Sequence, residues 1–131
     1  MVTQCPHCEG SRFTADVPTE LAPSAASTAL VCCRRCLAVE PVDPADTEPD
    51  PSFETIILRF PTGTEGVAVL LLLDKLNSLA LNRREIESLV EFLEANGVDL
   101  FLTLDRLLAA PDVDPHLDLA RRRDQLESLM E

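Results

Sequence analysis

Two cysteine pairs, Cys5-Pro6-His7-Cys8 and Cys33-Arg34-Arg35-Cys36, are the residues of this chain whose type and spacing specify chemistry. With two residues between partners, a tight turn can point both sulfurs at one ion. Two such turns supply the four thiolates of a closed tetrahedral site, the arrangement of structural zinc, with no position left for water or substrate. Cys5, Cys8, Cys33 and Cys36 are therefore the expected ligands of one structural Zn2+.

Other uses of the same residues fit less well. A disulfide framework requires an oxidising compartment. Met1–Gln4 lead straight into Cys5 without the basic and apolar run of a signal peptide, and an odd total of five cysteines does not pair fully. Cys-Pro-His-Cys is also the active-site tetrapeptide of strongly oxidising thioredoxin-like enzymes, where it opens a helix after an initial strand. Here too few residues precede Cys5 for those elements, and Glu9-Gly10 reads as a turn. Rubredoxins hold iron with similarly spaced pairs, but with aromatic packing; this chain has no Trp or Tyr, and only Phe13 lies nearby. Cys32, next to Cys33, is expected to be a small buried residue facing away from the metal. His7 lies between two ligands, where its backbone position disfavours a ligand role.

Composition narrows the setting. Asp and Glu total 23 against 11 Lys and Arg, for a net charge of -12, and Lys75 is the sole lysine. Acid excess with almost no lysine suits a cytoplasm of molar salt, where repulsion between carboxylates is screened over about 3 Å at 1 M. The expected source is an extreme halophile, with an ordinary acidic protein as the alternative. The longest apolar stretch, Val67–Leu73, ends at Asp74-Lys75, far short of the roughly 20 residues that span a bilayer. A cytoplasmic protein is expected.

The pattern predicts an α+β chain in three parts. Residues 1–42 read as a zinc ribbon, with strands over 11–17, 28–33 and 37–42 and a loop over 18–27. So small a module depends on its ion, which supplies on the order of 10 kcal/mol. Residues 43–52 alternate acids with proline and read as a flexible linker. Residues 53–131 read as a helical bundle. A short helix is expected over 53–60, although Thr55-Ile56-Ile57 is also compatible with a strand. A central apolar helix comes next over 62–80, opened by a Thr62/Glu65 capping box. A third runs from the Asn82 cap to Gly97 with Ile86, Leu89, Val90 and Leu93 inward, and a fourth starts after the Asp99 cap with Leu100, Leu104, Leu107 and Leu108 inward. The last is expected to start at Asp114-Pro115 and to bury Leu119, Leu126, Leu129 and Met130.

Outside the cysteines no catalytic set is evident, so a non-enzymatic protein is expected. His116 reads as a solvated residue near Asp114 and Asp118. Arg34-Arg35 would offset the net charge of about -2 that four thiolates leave on one Zn2+. Arg121-Arg122-Arg123 spread around a helix and are expected to pair with carboxylates. The expected partner is another protein. Nucleic-acid binding is the alternative, weakened by the steep loss of phosphate affinity in salt and by the missing stacking aromatics. A homodimer through the apolar helix 62–80 is a further option.

The phrases CPHCEG, CRRC, LNSLALNRREIESLVEFLEANGVDLFLTLDRL and DLARRRDQLESLM resemble a haloarchaeal protein family, a domain of unknown function with an N-terminal zinc ribbon. The resemblance implies a halophilic cytoplasmic origin and transfers no activity. Leu37 departs from common ribbon turns, which often place Gly after the second pair.

Overall fold

A computed structural model describes residues 4–46 and 49–130. Residues 1–3, where the reading of the chain start falls, and 47–48, inside the expected linker, lie outside the described residues. The fold is α+β: a three-stranded antiparallel sheet followed by four α-helices. Strands β1 (Arg12–Asp16), β2 (Ala29–Cys33) and β3 (Val39–Val42) lie in that order in the sheet, each within a residue or two of its expected place. The segment between β1 and β2 is not plain loop but contains a 3-10 helix, Thr19–Ser24, which buries Leu21.

Side-chain alternation in this sheet decides where the core sits. Pairing sets Phe13 opposite Cys32 and Ala15 opposite Leu30, so these side chains share one face. That face joins the helices in a single hydrophobic cluster with Val17, Leu21, Leu37, Phe53, Phe60 and the leucines of the bundle. At the end of the acidic segment, the Asp50 amide donates to the Thr14 carbonyl and to its hydroxyl, at 3.0 and 3.2 Å.

Helix α1 (Gly63–Lys75) is central, with every residue from Gly66 to Leu73 buried, but it stops short of the expected Ala80 and gives way to a 3-10 helix, Leu76–Ser78. The chain's own packing covers these side chains. Helix α2 (Arg83–Ala95) buries Ile86, Leu89, Val90 and Leu93, as its periodicity requires. Helix α3 (Leu100–Ala109) starts at Asp99, whose carboxylate accepts the Leu102 amide. It buries Thr103 with Leu100, Leu104 and Leu107, whereas Leu108 is 40% exposed, contrary to expectation. Thr103 can enter the core because its hydroxyl donates to the Asp99 carbonyl one turn back. Neither Thr62 nor Asn82 caps with its side chain, and the Asn82 amide side chain donates instead to the Lys75 carbonyl.

Two helical expectations are corrected. Residues 53–60 form only a 3-10 turn, Phe53–Thr55, followed by irregular chain. Ring packing dominates there: Phe53 meets Phe13 edge-on at 5.6 Å and stacks on Phe60 at 5.8 Å. The last helix, α4 (Leu119–Leu129), begins after Asp118, which accepts the Arg121 amide, rather than at Asp114. Asp114 is held elsewhere, its amide donating to the Arg35 carbonyl in the turn between Cys33 and Cys36. Helix α4 buries Leu119 and Leu126, and Leu129 and Met130 only in part.

Close packing under the Phe13–Phe53–Phe60 rings rests on one glycine. A Cβ at Gly66 would collide with the Pro61 carbonyl oxygen and lie 2.9 Å from Phe53 Cζ. Gly66→Ala is expected to cost about 1–3 kcal/mol by overpacking, outweighing the helix preference for Ala of about 1 kcal/mol. Denaturant unfolding checks this; an unchanged or higher midpoint would contradict it.

Candidate metal centre

The site is assembled by strand register. Antiparallel pairing sets Arg12 opposite Cys33, so the turn before β1 and the turn after β2 meet at one end of the sheet. The ladder extends past the strands: the Arg34 amide donates to the Ser11 carbonyl at 3.0 Å. Thus the segment between the cysteine pairs folds back on itself and delivers Cys5-Cys8 onto Cys33-Cys36.

All four Sγ atoms lie within 4.8 Å of one another, with Cys5–Cys36 at 3.6 Å and Cys8–Cys33 at 3.5 Å. Sulfurs bound about 2.3 Å from a common ion in a tetrahedron lie about 3.8 Å apart, so the spacing fits one metal ion. Cys5, Cys33 and Cys36 are buried and Cys8 is partly exposed. A Cβ on Gly10 would come within 3.1 Å of Cys33 Sγ and 3.2 Å of Cys8 Sγ, so a glycine lets the backbone approach the sulfurs.

Both turns aim backbone N–H groups at sulfur. His7 donates to Cys5, Gly10 to Cys8, and both Arg35 and Cys36 to Cys33, each at 3.4 Å. Such donors favour the thiolate form and orient it. Burial alone would push the Cys5 thiol up, but the amides of His7 and Cys8 outweigh it and hold Cys5 at about 7. Cys33 and Cys36 are pushed up, chiefly by burial, and for Cys36 the neighbouring sulfurs add to it. Four negative sulfurs this close repel, and a divalent cation removes the repulsion.

The turns share a backbone signature. The residue after each pair, Glu9 and Leu37, has a left-handed φ of 62° and 63°. That conformation costs a non-glycine residue about 1–2 kcal/mol. Leu37 is retained there because its side chain is fully buried in the main core. The departure from glycine noted in the sequence is thus strain accepted for packing. Cys32 faces the other way, fully buried in the main core, its thiol donating to the Cys33 carbonyl at 3.4 Å.

The flanking basic residues divide. Arg34 donates to Thr55 Oγ1 and to the Arg12 carbonyl and lies over the Phe13 ring, tying the turn to residues 53–55. On α4, Arg123 pairs with Asp105 and Glu127 and covers Phe101, and Arg122 bonds Gln125 and the Asn77 carbonyl. Sequence reasoning missed the role of His116. Its amide donates to the Cys36 carbonyl at 2.9 Å, and its ring stacks on His7 with centroids 6.0 Å apart. Nothing local in the sequence signals that contact.

The model of a family described as Family of unknown function (DUF6276) matches residues 4–130, and the chain belongs to that family. No curated protein and no solved structure matches it.

Substitutions separate the sulfurs. Cys36→Ala is expected to abolish stoichiometric metal uptake, while Cys32→Ala keeps one ion per chain, as read by metal analysis. Glu9→Gly should stabilise the metal-loaded protein by about 1 kcal/mol through relief of strain, whereas Leu37→Gly should destabilise it by about 2–5 kcal/mol through loss of core packing. Equal effects of the two glycine variants on the unfolding midpoint would contradict this role for the turns.

Proposed function

We propose that Cys5, Cys8, Cys33 and Cys36 hold one structural Zn2+ in a zinc ribbon, and that the chain is a non-enzymatic protein-interaction or regulatory module of a halophilic cytoplasm. The observation that carries this reading is the convergence of four sulfurs, each also accepting a hydrogen bond or lying against a neighbouring sulfur, with no fifth donor group joining them among the described residues. A shell completed by protein ligands has no place for substrate, so bound zinc would supply cross-linking and charge neutralisation. The protein's own contribution is to aim the amides and exclude water from three of the sulfurs.

The arrangement also bears on the alternatives. Cys5-Pro6-His7-Cys8 forms a turn ahead of a strand, not the first turn of a helix that would activate a redox thiolate. Arg34 is committed to Thr55 and Arg12, so the second turn offers phosphate little beyond Arg35. A protein partner is therefore favoured over nucleic acid. No helix is long and apolar enough to cross a membrane. The charge of -12 with one lysine is the ground for the halophilic assignment.

Native mass spectrometry is expected to show one zinc per chain in a colourless protein; iron, or no metal, would overturn the assignment. Because burial favours the neutral thiol at Cys33 and Cys36, zinc uptake near pH 7 should release protons and weaken as pH falls, measurable by titration in weakly buffered solution. Stability should rise between about 0.1 and 2 M KCl as carboxylate repulsion is screened; a flat response would count against a halophilic origin. Nuclease-treated pull-down at high salt should recover a protein partner, and recovery dependent on RNA or DNA would favour the nucleic-acid reading.

A further inference from the structure

The C-terminal half is fastened to the metal-binding turns by backbone, not by side-chain chance. The Asp114 amide donates to the Arg35 carbonyl at 2.7 Å and the His116 amide to the Cys36 carbonyl at 2.9 Å. Both acceptors lie in the turn closed by Cys33 and Cys36, so their direction is set by where those sulfurs are held. The first turn grips the same strap, since the His7 ring lies within 15° of parallel to the His116 ring. Residues 111–114 also form one wall of a cleft of about 710 Å3 whose other wall includes Gly10, Ser11, Arg34 and Arg35.

Beyond the strap, helix α4 has a thin hold of its own. It buries only Leu119 and Leu126, against eight consecutive buried residues in α1. Leu129 and Met130 pack there only in part, Arg123 lies over the Phe101 ring, and the polar ties from Arg123 to Asp105 and from Arg122 to Asn77 are exposed. Exposed ion pairs add little to stability. Local opening starts where buried apolar contacts are fewest. The helices α1, α2 and α3 pack through leucines that do not touch the sulfur cluster.

We propose that the occupied metal centre is a clamp on the strap 111–118 and the start of α4, so that loss of the ion releases this end of the chain while α1–α3 stay packed. Without a cation no common ligand joins the two turns at one point, and the carbonyls of Arg35 and Cys36 are no longer held facing the strap amides. Metal occupancy is thereby reported at the C-terminal surface and in the cleft beside it. This inference rests on the reading of the four cysteines as a metal site.

Hydrogen exchange of the full chain tests it in three states: zinc-loaded, stripped by chelator under reducing conditions, and reloaded with zinc, with bound metal counted by native mass spectrometry in each. Stripping is expected to speed exchange in peptides covering 111–126 at least about tenfold and to leave α2 unchanged, with zinc restoring protection. Zinc-loaded His116→Pro, which lacks the donor to Cys36, should keep its ion and show the same acceleration. The clamp is overturned if stripped protein keeps 111–126 protected, if α2 opens equally, or if His116→Pro retains wild-type protection. Those results leave the metal reading intact; a chain that takes up no zinc overturns both.

Discussion

Four sulfurs gathered within 4.8 Å of one another set the terms for the first third of the chain. Their mutual repulsion would drive the two turns apart, and their common attraction to a cation would lock them together. The amides aimed at them, the glycine that lets backbone approach, and the left-handed residues that close each turn all serve that one point. Strand register brings the two turns to that point, because Arg12 opposite Cys33 sets them at one end of the sheet. One face of the sheet then becomes available to the helices.

The sulfur site and the hydrophobic core are separate clusters joined by a few residues with two duties. Leu37 closes the second turn with strained backbone and fills the core with its side chain. Cys32 and Cys33 are adjacent yet belong to different clusters, as strand alternation dictates. Arg34 spans turn, sheet and the 53–55 segment through two hydrogen bonds and a ring contact. Strain at the second turn is therefore offset within the core, away from the sulfurs.

Much of this was legible from residue types alone, for reasons that differ by region. The convergence of Cys5, Cys8, Cys33 and Cys36 could be read because cysteine pairs at this spacing have few other uses, and α2 because its apolar period and its buried face coincide. Helix α3 showed its start through Asp99 but not its full inner face, since a threonine can be buried once its hydroxyl is satisfied by the preceding turn. Asp114-Pro115 carries the local marks of a helix start and is not one. Its amide is taken by the Arg35 carbonyl, a partner distant in sequence that no local propensity reveals. The 53–60 segment obeys the same logic, with three phenylalanine rings overriding helical spacing. Local grammar held where contacts are local and failed where the cysteine turns and rings reach across the chain.

X-ray absorption at the zinc edge of the purified protein tests the four-sulfur site most directly. A single shell of four sulfurs at about 2.3 Å, with no nitrogen or oxygen ligand, is the predicted result. A mixed shell with light-atom ligands, or a protein whose cysteines are joined in disulfides without bound metal, would contradict it.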